Sequence, residues 1–326
     1  MFDLPSIDVD DTVRLADWVE LCALFESDGV ISAADVADAI HDAGLLGGEP
    51  DDVFPDESSL VEEGDFSTDD AVERLADAAW EQLRDRATKA GQGYPFDVRG
   101  DSLQLNVSSW RAVPAFTMLL LADMSRSYRR LNAEIESESD SGRLFEKVVE
   151  AAQRGLLRGS AVRFGWPIEP GWPTPIDDRI GTLGERLGLE VESLQGKTRS
   201  NDKDRGLDVA ARFSVGDDGP ATFILLTQCA TGKHWKEKRG EPALSDWRDM
   251  LRWDAQLLRA VAVPWRLDAR IDRGFHYVRT YRHFDAVILD RPRLVAGTPD
   301  RFLEGDVKDQ IVRWCEDQVV KLPGLS

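Results

Sequence analysis

Four side chains have the types and spacing for phosphodiester chemistry. Asp208 opens an apolar stretch, LDVAARFSV, after a polar turn, and Gln228 closes the next one, ATFILLTQCA. On a shared face of paired strands, residues of the same parity point the same way, so these two side chains can converge. Lys233 follows five residues after Gln228, and Glu146 sits one turn into the amphipathic segment RLFEKVVEAAQRGLLR. Two acids and an amide oxygen suit Mg²⁺, a hard cation that takes oxygen ligands. Such a metal stabilises charge on a scissile phosphate and helps deprotonate a water, and the lysine orients that water or neutralises the developing charge. Each residue also has an ordinary explanation: a turn acid, a salt-bridged helix residue, a strand-end amide and a surface lysine.

The elements that must position these groups follow from periodicity and punctuation. Helices are expected over 10–25, from the Ser32/Asp35 capping box to about Asp42 before Gly44, and from Ser67 with Asp70 to about Ala90 before Gly91. Residues 47–66 read as an acidic Gly- and Pro-containing linker, and YPFDVRGDSLQLNV as a short hairpin turning at Arg99-Gly100-Asp101. Residues 110–131 form an apolar helix starting near Pro114, and the polar run 134–142 marks a domain boundary. Helices follow at 143–158 and 176–187, then the hairpin LDVAARFSV/ATFILLTQCA. A helix at 244–260, a strand VAVPW, a helix or turn at 269–279, a buried strand FDAVILD and a closing helix at 305–321 complete the chain. This order predicts an α/β protein with a mixed sheet flanked by helices, over 140–326, preceded by an acidic region, 1–135, that is helical apart from the hairpin.

The stretches Gly206-Leu207-Asp208-Val209 and Leu226-Thr227-Gln228-Cys229-Ala230, with the helix Gly142-Arg143-Leu144-Phe145-Glu146, resemble the PD-(D/E)xK restriction-endonuclease-like superfamily, most closely its Mrr-type branch. The resemblance covers about residues 140–320. It implies an αβββαβ core, which the acidic helical N-terminal module would precede, with Mg²⁺-dependent (or Mn²⁺-dependent) DNA cleavage at Glu146, Asp208, Gln228 and Lys233. It further implies a role in prokaryotic restriction or antiviral defence, beside an ATPase or helicase. The family's lysine stands two residues after the Gln, where this chain has Ala230, so Lys233 is the nearest replacement. The alternative is a degenerate nuclease fold that binds nucleic acid or a partner. Lys203, Asp204 and His234 are lesser candidates, and Glu185 is the substitute for Glu146.

Charge and composition bound the partners. The net charge is −20 over 326 residues, yet residues 1–80 hold 23 acidic against two basic residues, Arg14 and Arg74, and the remainder is nearly neutral. Acidic surface repels nucleic acid, so 1–80 points instead to a protein partner or to cover for the chain's own basic groove. Basic clusters at Lys233, Lys236, Lys238 and Arg239, and an arginine excess over 259–293, fit local phosphate contacts. DNA is the expected partner, the residues do not separate it from RNA, and a homodimer would supply a second active site for double-strand cleavage. Three scattered cysteines make neither a disulfide framework nor a zinc knuckle, as expected for a cytoplasmic protein. The acidic N-terminus reads as no signal peptide, and no apolar run reaches the roughly 18 residues of a membrane span. No phosphate-loop or nucleophile-elbow motif is present, and Cys229 reads as a buried thiol.

Overall fold

The computed structural model describes residues 1–5, 11–44, 68–125, 127–128, 131, 135–136, 139–199, 202–216, 223–232, 234–252, 256–267 and 285–324. The linker 47–66, Lys233, and the helix or turn at 269–279 lie outside these residues.

The N-terminal part contains α1 (Thr12–Phe25), β1 (Val30–Ser32), α2 (Ala33–Asp42), α3 (Thr68–Ala90), β2 (Phe96–Arg99), β3 (Ser102–Leu105) and α4 (Pro114–Met124). It is not all helical. The expected hairpin β2–β3 forms, with Gly100 at a positive φ of 60° in its turn, and β1 adds to it as a third antiparallel strand in the order β1-β3-β2. A three-residue strand leading directly into a capping box carries too little alternation to be read from sequence. Ser32 serves both elements: it ends β1, and its hydroxyl accepts from Asp35 N while the Asp35 carboxylate accepts from Ser32 N.

The second part contains α5 (Asp140–Leu157), β4 (Ala161–Arg163), α6 (Ile176–Leu187), β5 (Glu190–Val191), β6 (Val209–Arg212), β7 (Phe223–Cys229), α7 (Leu244–Met250), β8 (Leu251–Arg252), β9 (Gln256–Ala262), β10 (Val287–Leu289), α8 (Arg291–Ala296) and α9 (Gly305–Val319). Five strands form one mixed sheet in the order β10-β9-β7-β6-β4. The pairs β4–β6 and β6–β7 are antiparallel, whereas β7–β9 and β9–β10 are parallel. The helix expected over 244–260 stops at Met250, because Gln256–Ala262 pairs along the whole of β7. Gln256–Ala262 lacks the apolar/polar alternation of a half-buried strand, so its period alone does not tell it from a helix.

The alternation of β7 divides the core. Leu225 joins Val209, Ala260 and Ala262 in the cluster under α5, while Ile224 and Leu226 face α6 and α7 with Val162, Ile180 and Trp247. In α5 the inward residues Phe145, Val148, Val149 and Ala152 follow the i, i+3, i+4, i+7 spacing of a buried helix face. The cluster under α5 continues into α1, α3 and α4, so residues on both sides of the polar run 134–142 share one apolar core.

A buried ion cluster crosses the same junction. Arg86 Nη1 lies 2.8 Å from both Asp17 Oδ1 and Glu20 Oε2, and Arg291 pairs with Asp17 and lies 3.5 Å from Glu20. Tyr94 donates to Glu20 at 2.7 Å, and Arg291 Nη1 stands 3.4 Å from Asp123. Burial alone pushes the Asp17 carboxyl up, but Arg291 and Arg86 outweigh it and hold the group below its usual range. Removing one partner leaves buried charge uncompensated. Arg86→Met is therefore expected to destabilise the fold by about 3–5 kcal/mol, read as a lower urea midpoint. A loss under about 1 kcal/mol would mean that the cluster is solvated.

Candidate active site

Glu146 and Asp208 come from different elements and meet. Glu146 projects from the buried face of α5, and Asp208 stands immediately before β6; their exposures are 7% and 5%. Between them runs the backbone of Gly165. A Cβ there would fall 2.5 Å from Glu146 Oε2 and 3.0 Å from Asp208 Oδ1, so both carboxylates converge on one point that only a glycine leaves open. Asp208 fixes that backbone too, its carbonyl accepting from Phe164 N and Gly165 N at 2.7 and 3.1 Å.

Each acid is held in orientation. Asp208 Oδ2 accepts from Cys229 N at 2.6 Å and from Gln228 Nε2 at 2.7 Å, so the expected meeting of Asp208 with Gln228 across the β6–β7 pair occurs. The Gln228 Oε1 is buried and has no hydrogen-bond partner. Glu146 Oε2 pairs with Arg163 Nε at 2.6 Å. Arg163, 2% exposed on β4, also approaches Glu169, which Lys147 binds at 2.7 Å and links to Glu150. An alternating row of charges along α5 thus ends on Glu146.

Burial dominates the protonation of the pair. Desolvation, with the Asp208 charge beside it, pushes the Glu146 carboxyl up to about 9 against the pull of Arg163. Desolvation and then Asp204 push Asp208 up to about 7, opposed by Cys229 N–H, Arg163 and Lys238. At neutral pH the metal-free pair therefore holds a proton that two ordinary carboxylates would have lost.

Two carboxylates with too little cation around them, and an amide oxygen without a donor, fit a small hard cation. Among the described residues no group of three or more His, Cys, Asp or Glu could hold a metal ion, so Gln228 Oε1 is the third protein oxygen on offer.

The other expected residues divide. Asp204 belongs to the site, since its charge acts on both acids. His234 pairs instead with Glu237 at 2.9 Å, and Glu185 lies on the exposed face of α6. Cys229 has its thiol pushed well above the usual range by burial, as expected of a structural thiol. Ala230 packs with Trp235, Val261 and Trp265 in an apolar cluster. The arginine excess over 259–293 is partly internal: Arg266 pairs with Asp85 and Arg291 with Asp17 and Glu20.

Arg163 and Gly165 escape a reading of motifs, because each matters through what it stands beside in three dimensions. Lys238 was legible only as part of a basic run. Its Nζ lies 2.9 Å from Glu241 Oε2, and the Glu241 side chain packs over Gly206, two residues before Asp208.

No protein-family model matches the chain, and no curated protein and no solved structure is significantly similar to it.

Because both folded-state carboxyls titrate above their unfolded values, folding takes up protons between about pH 4 and 9. The contribution of this pair to the stability of metal-free protein in EDTA should accordingly be largest at the acidic end of this window and fall by several kcal/mol as pH rises through it. Urea titrations read this slope; Glu146→Gln should flatten it, and an unchanged slope in that variant would assign the protons elsewhere. Gly165→Ala should cost about 1–3 kcal/mol by forcing Glu146 aside.

Proposed function

We propose that the chain is a Mg²⁺-dependent DNA endonuclease of the PD-(D/E)xK type, serving prokaryotic restriction or antiviral defence in the cytoplasm. The observation that carries this reading is the convergence of Glu146 and Asp208 on one buried point beside Gly165, with the Gln228 amide donating to Asp208. With α6 and the two-residue strands β5 and β8 set aside as insertions, the order α5, β4, β6, β7, α7, β9 matches the αβββαβ order that the resemblance implies.

Glu146, Asp208 and Gln228 are the residues that would hold the metal, with Mn²⁺ as a substitute. Bound there, Mg²⁺ supplies charge for the scissile phosphate and lowers the pKa of a water. A bound cation would favour the ionised forms of Asp208 and Glu146, which burial otherwise disfavours. Arg163 keeps the Glu146 carboxylate from turning away, and the Cys229 N–H does the same for Asp208. A lysine from the segment 233–238 neutralises charge on the phosphate. Lys233 is the nearest in sequence; among the described residues Lys238 is the lysine whose charge acts on Asp208. The acidic region 1–80 docks a protein partner.

A second reading has its own support. Ala230 stands in an apolar cluster where the family's lysine belongs, and Arg163 already pairs with Glu146. The chain would then be a catalytically degenerate subunit that binds nucleic acid or a partner in a defence complex.

Plasmid, linear duplex and single-stranded DNA incubated with Mg²⁺, Mn²⁺ or EDTA separate the two. The nuclease cleaves only with metal, and Asp208→Ala abolishes cleavage. Lys238→Ala should lower the rate by about 10²-fold or more, the usual cost of one charge-stabilising group. A comparable loss in Lys233→Ala with Lys238→Ala unaffected would move the role to Lys233. Wild-type protein that cleaves nothing would favour the degenerate subunit.

A further inference from the structure

One residue along the chain from the glycine between the two acids is an aromatic side chain that nothing in the cleavage chemistry uses. Trp166 follows Gly165 directly, and unlike the buried Trp172 and Trp235 it is only half-buried. Its backbone is fixed on both sides: Gly165 N donates to the Asp208 carbonyl, and Arg163 Nη2 donates to the Pro167 carbonyl at 2.9 Å.

Two cations flank its ring. The Lys203 Nζ lies 5.9 Å from the indole centroid, and the Arg179 guanidinium lies 5.7 Å from it and 5.3 Å from the Phe164 ring. Arg179 is 1% exposed; its Nη2 donates to the carbonyls of Asp202 and Lys203, while Nε and Nη1 have no hydrogen-bond partner. This buried guanidinium places positive charge behind the indole; desolvation pulls its pKa down and the Asp204 charge opposes that. Lys203 adds exposed positive charge at the rim, one residue from Asp204.

An indole face with cations around it suits a nucleobase and its phosphate. A base inside a duplex has both faces covered by its neighbours, so only an unstacked base can reach such a platform. We propose that Trp166 stacks the base of an unpaired nucleotide next to the scissile phosphate, with Lys203 and Arg179 supplying the phosphate-side charge, so that the substrate is single-stranded DNA. The inference rests on the nuclease reading for its placement beside the acids.

Binding in EDTA isolates it from cleavage. The probes are a fluorescein-labelled oligothymidylate, its duplex with oligodeoxyadenylate, and an abasic oligonucleotide of equal length, each titrated with the full chain. The single strand should bind more tightly than the duplex. Trp166→Ala should weaken single-strand binding by about five- to a hundredfold, while Trp166→Phe, which keeps a stacking face, retains most of it. Removing the bases should weaken wild type similarly and Trp166→Ala little further. Lys203→Ala should lower the salt slope by about one. Equal binding by Trp166→Ala and wild type, or duplex binding at least as tight as single-strand binding, overturns the proposal. Trp166-dependent binding without any metal-dependent cleavage would instead sink the nuclease reading and leave the platform standing.

Discussion

Two carboxylates can be buried side by side only if something positive is buried with them. The fold meets this constraint twice, with opposite results. At the junction of α1, α3 and α8, Asp17 and Glu20 face Arg86 and Arg291, and Tyr94 satisfies the oxygen left over. Charge is matched there and Asp17 stays ionised. Around Gly165, Glu146 and Asp208 with Asp204 nearby face Arg163 as the one fully buried cation among the described groups that act on them, and desolvation wins. The first cluster is closed and serves the architecture. The second is short of positive charge among the described groups, and burial leaves its carboxyls harder to ionise.

The sheet makes the open cluster possible. β6 brings Asp208 up beside the end of β7, β4 delivers Arg163 on the other side, and α5 lies across with Glu146. A row of alternating charge from Arg154 through Glu150, Lys147 and Glu169 to Arg163 keeps α5 from rotating its acid away. In the N-terminal part, the excess acid goes outward: Asp35, Asp38 and Asp42 on α2, and Asp69, Asp70, Glu73 and Glu81 on α3, are exposed. The acidity inferred from composition is thus a solvent-facing feature of these two helices, while Asp17 and Glu20 turn inward.

Local signals were legible and crossing signals were not. The capping box at Ser32, the helix 176–187 and the β6–β7 hairpin all rest on residues within a few positions of one another, where propensity and turn chemistry act. The meeting of Asp208 and Gln228 was legible for the same reason, because a hairpin fixes its own register. β9 was misread because its partner decides its conformation: Gln256–Ala262 has the composition of a helix and becomes a strand by adding to β7. Arg163 and Gly165 were invisible because neither type announces a role; one is a buried cation, the other the absence of a side chain. The mixing of the two parts in one core was equally hidden behind a polar run that reads as a boundary.

The pairing of Asp17 with Arg291 has a consequence for the order of events in synthesis. The two residues are 274 positions apart, and a ribosome works from the N-terminus at about 5–20 residues per second. Asp17 and Glu20 therefore emerge, and meet Arg86, long before their second arginine exists. During that interval α1 and α3 carry an excess of negative charge inside what will become the core, and the apolar faces that α5 later covers are bare. The N-terminal part is consequently the first to be made and among the last to be finished, and long-range closure of this kind slows folding. A nascent chain arrested before α8 would present an acidic, incompletely buried surface that the mature protein never shows.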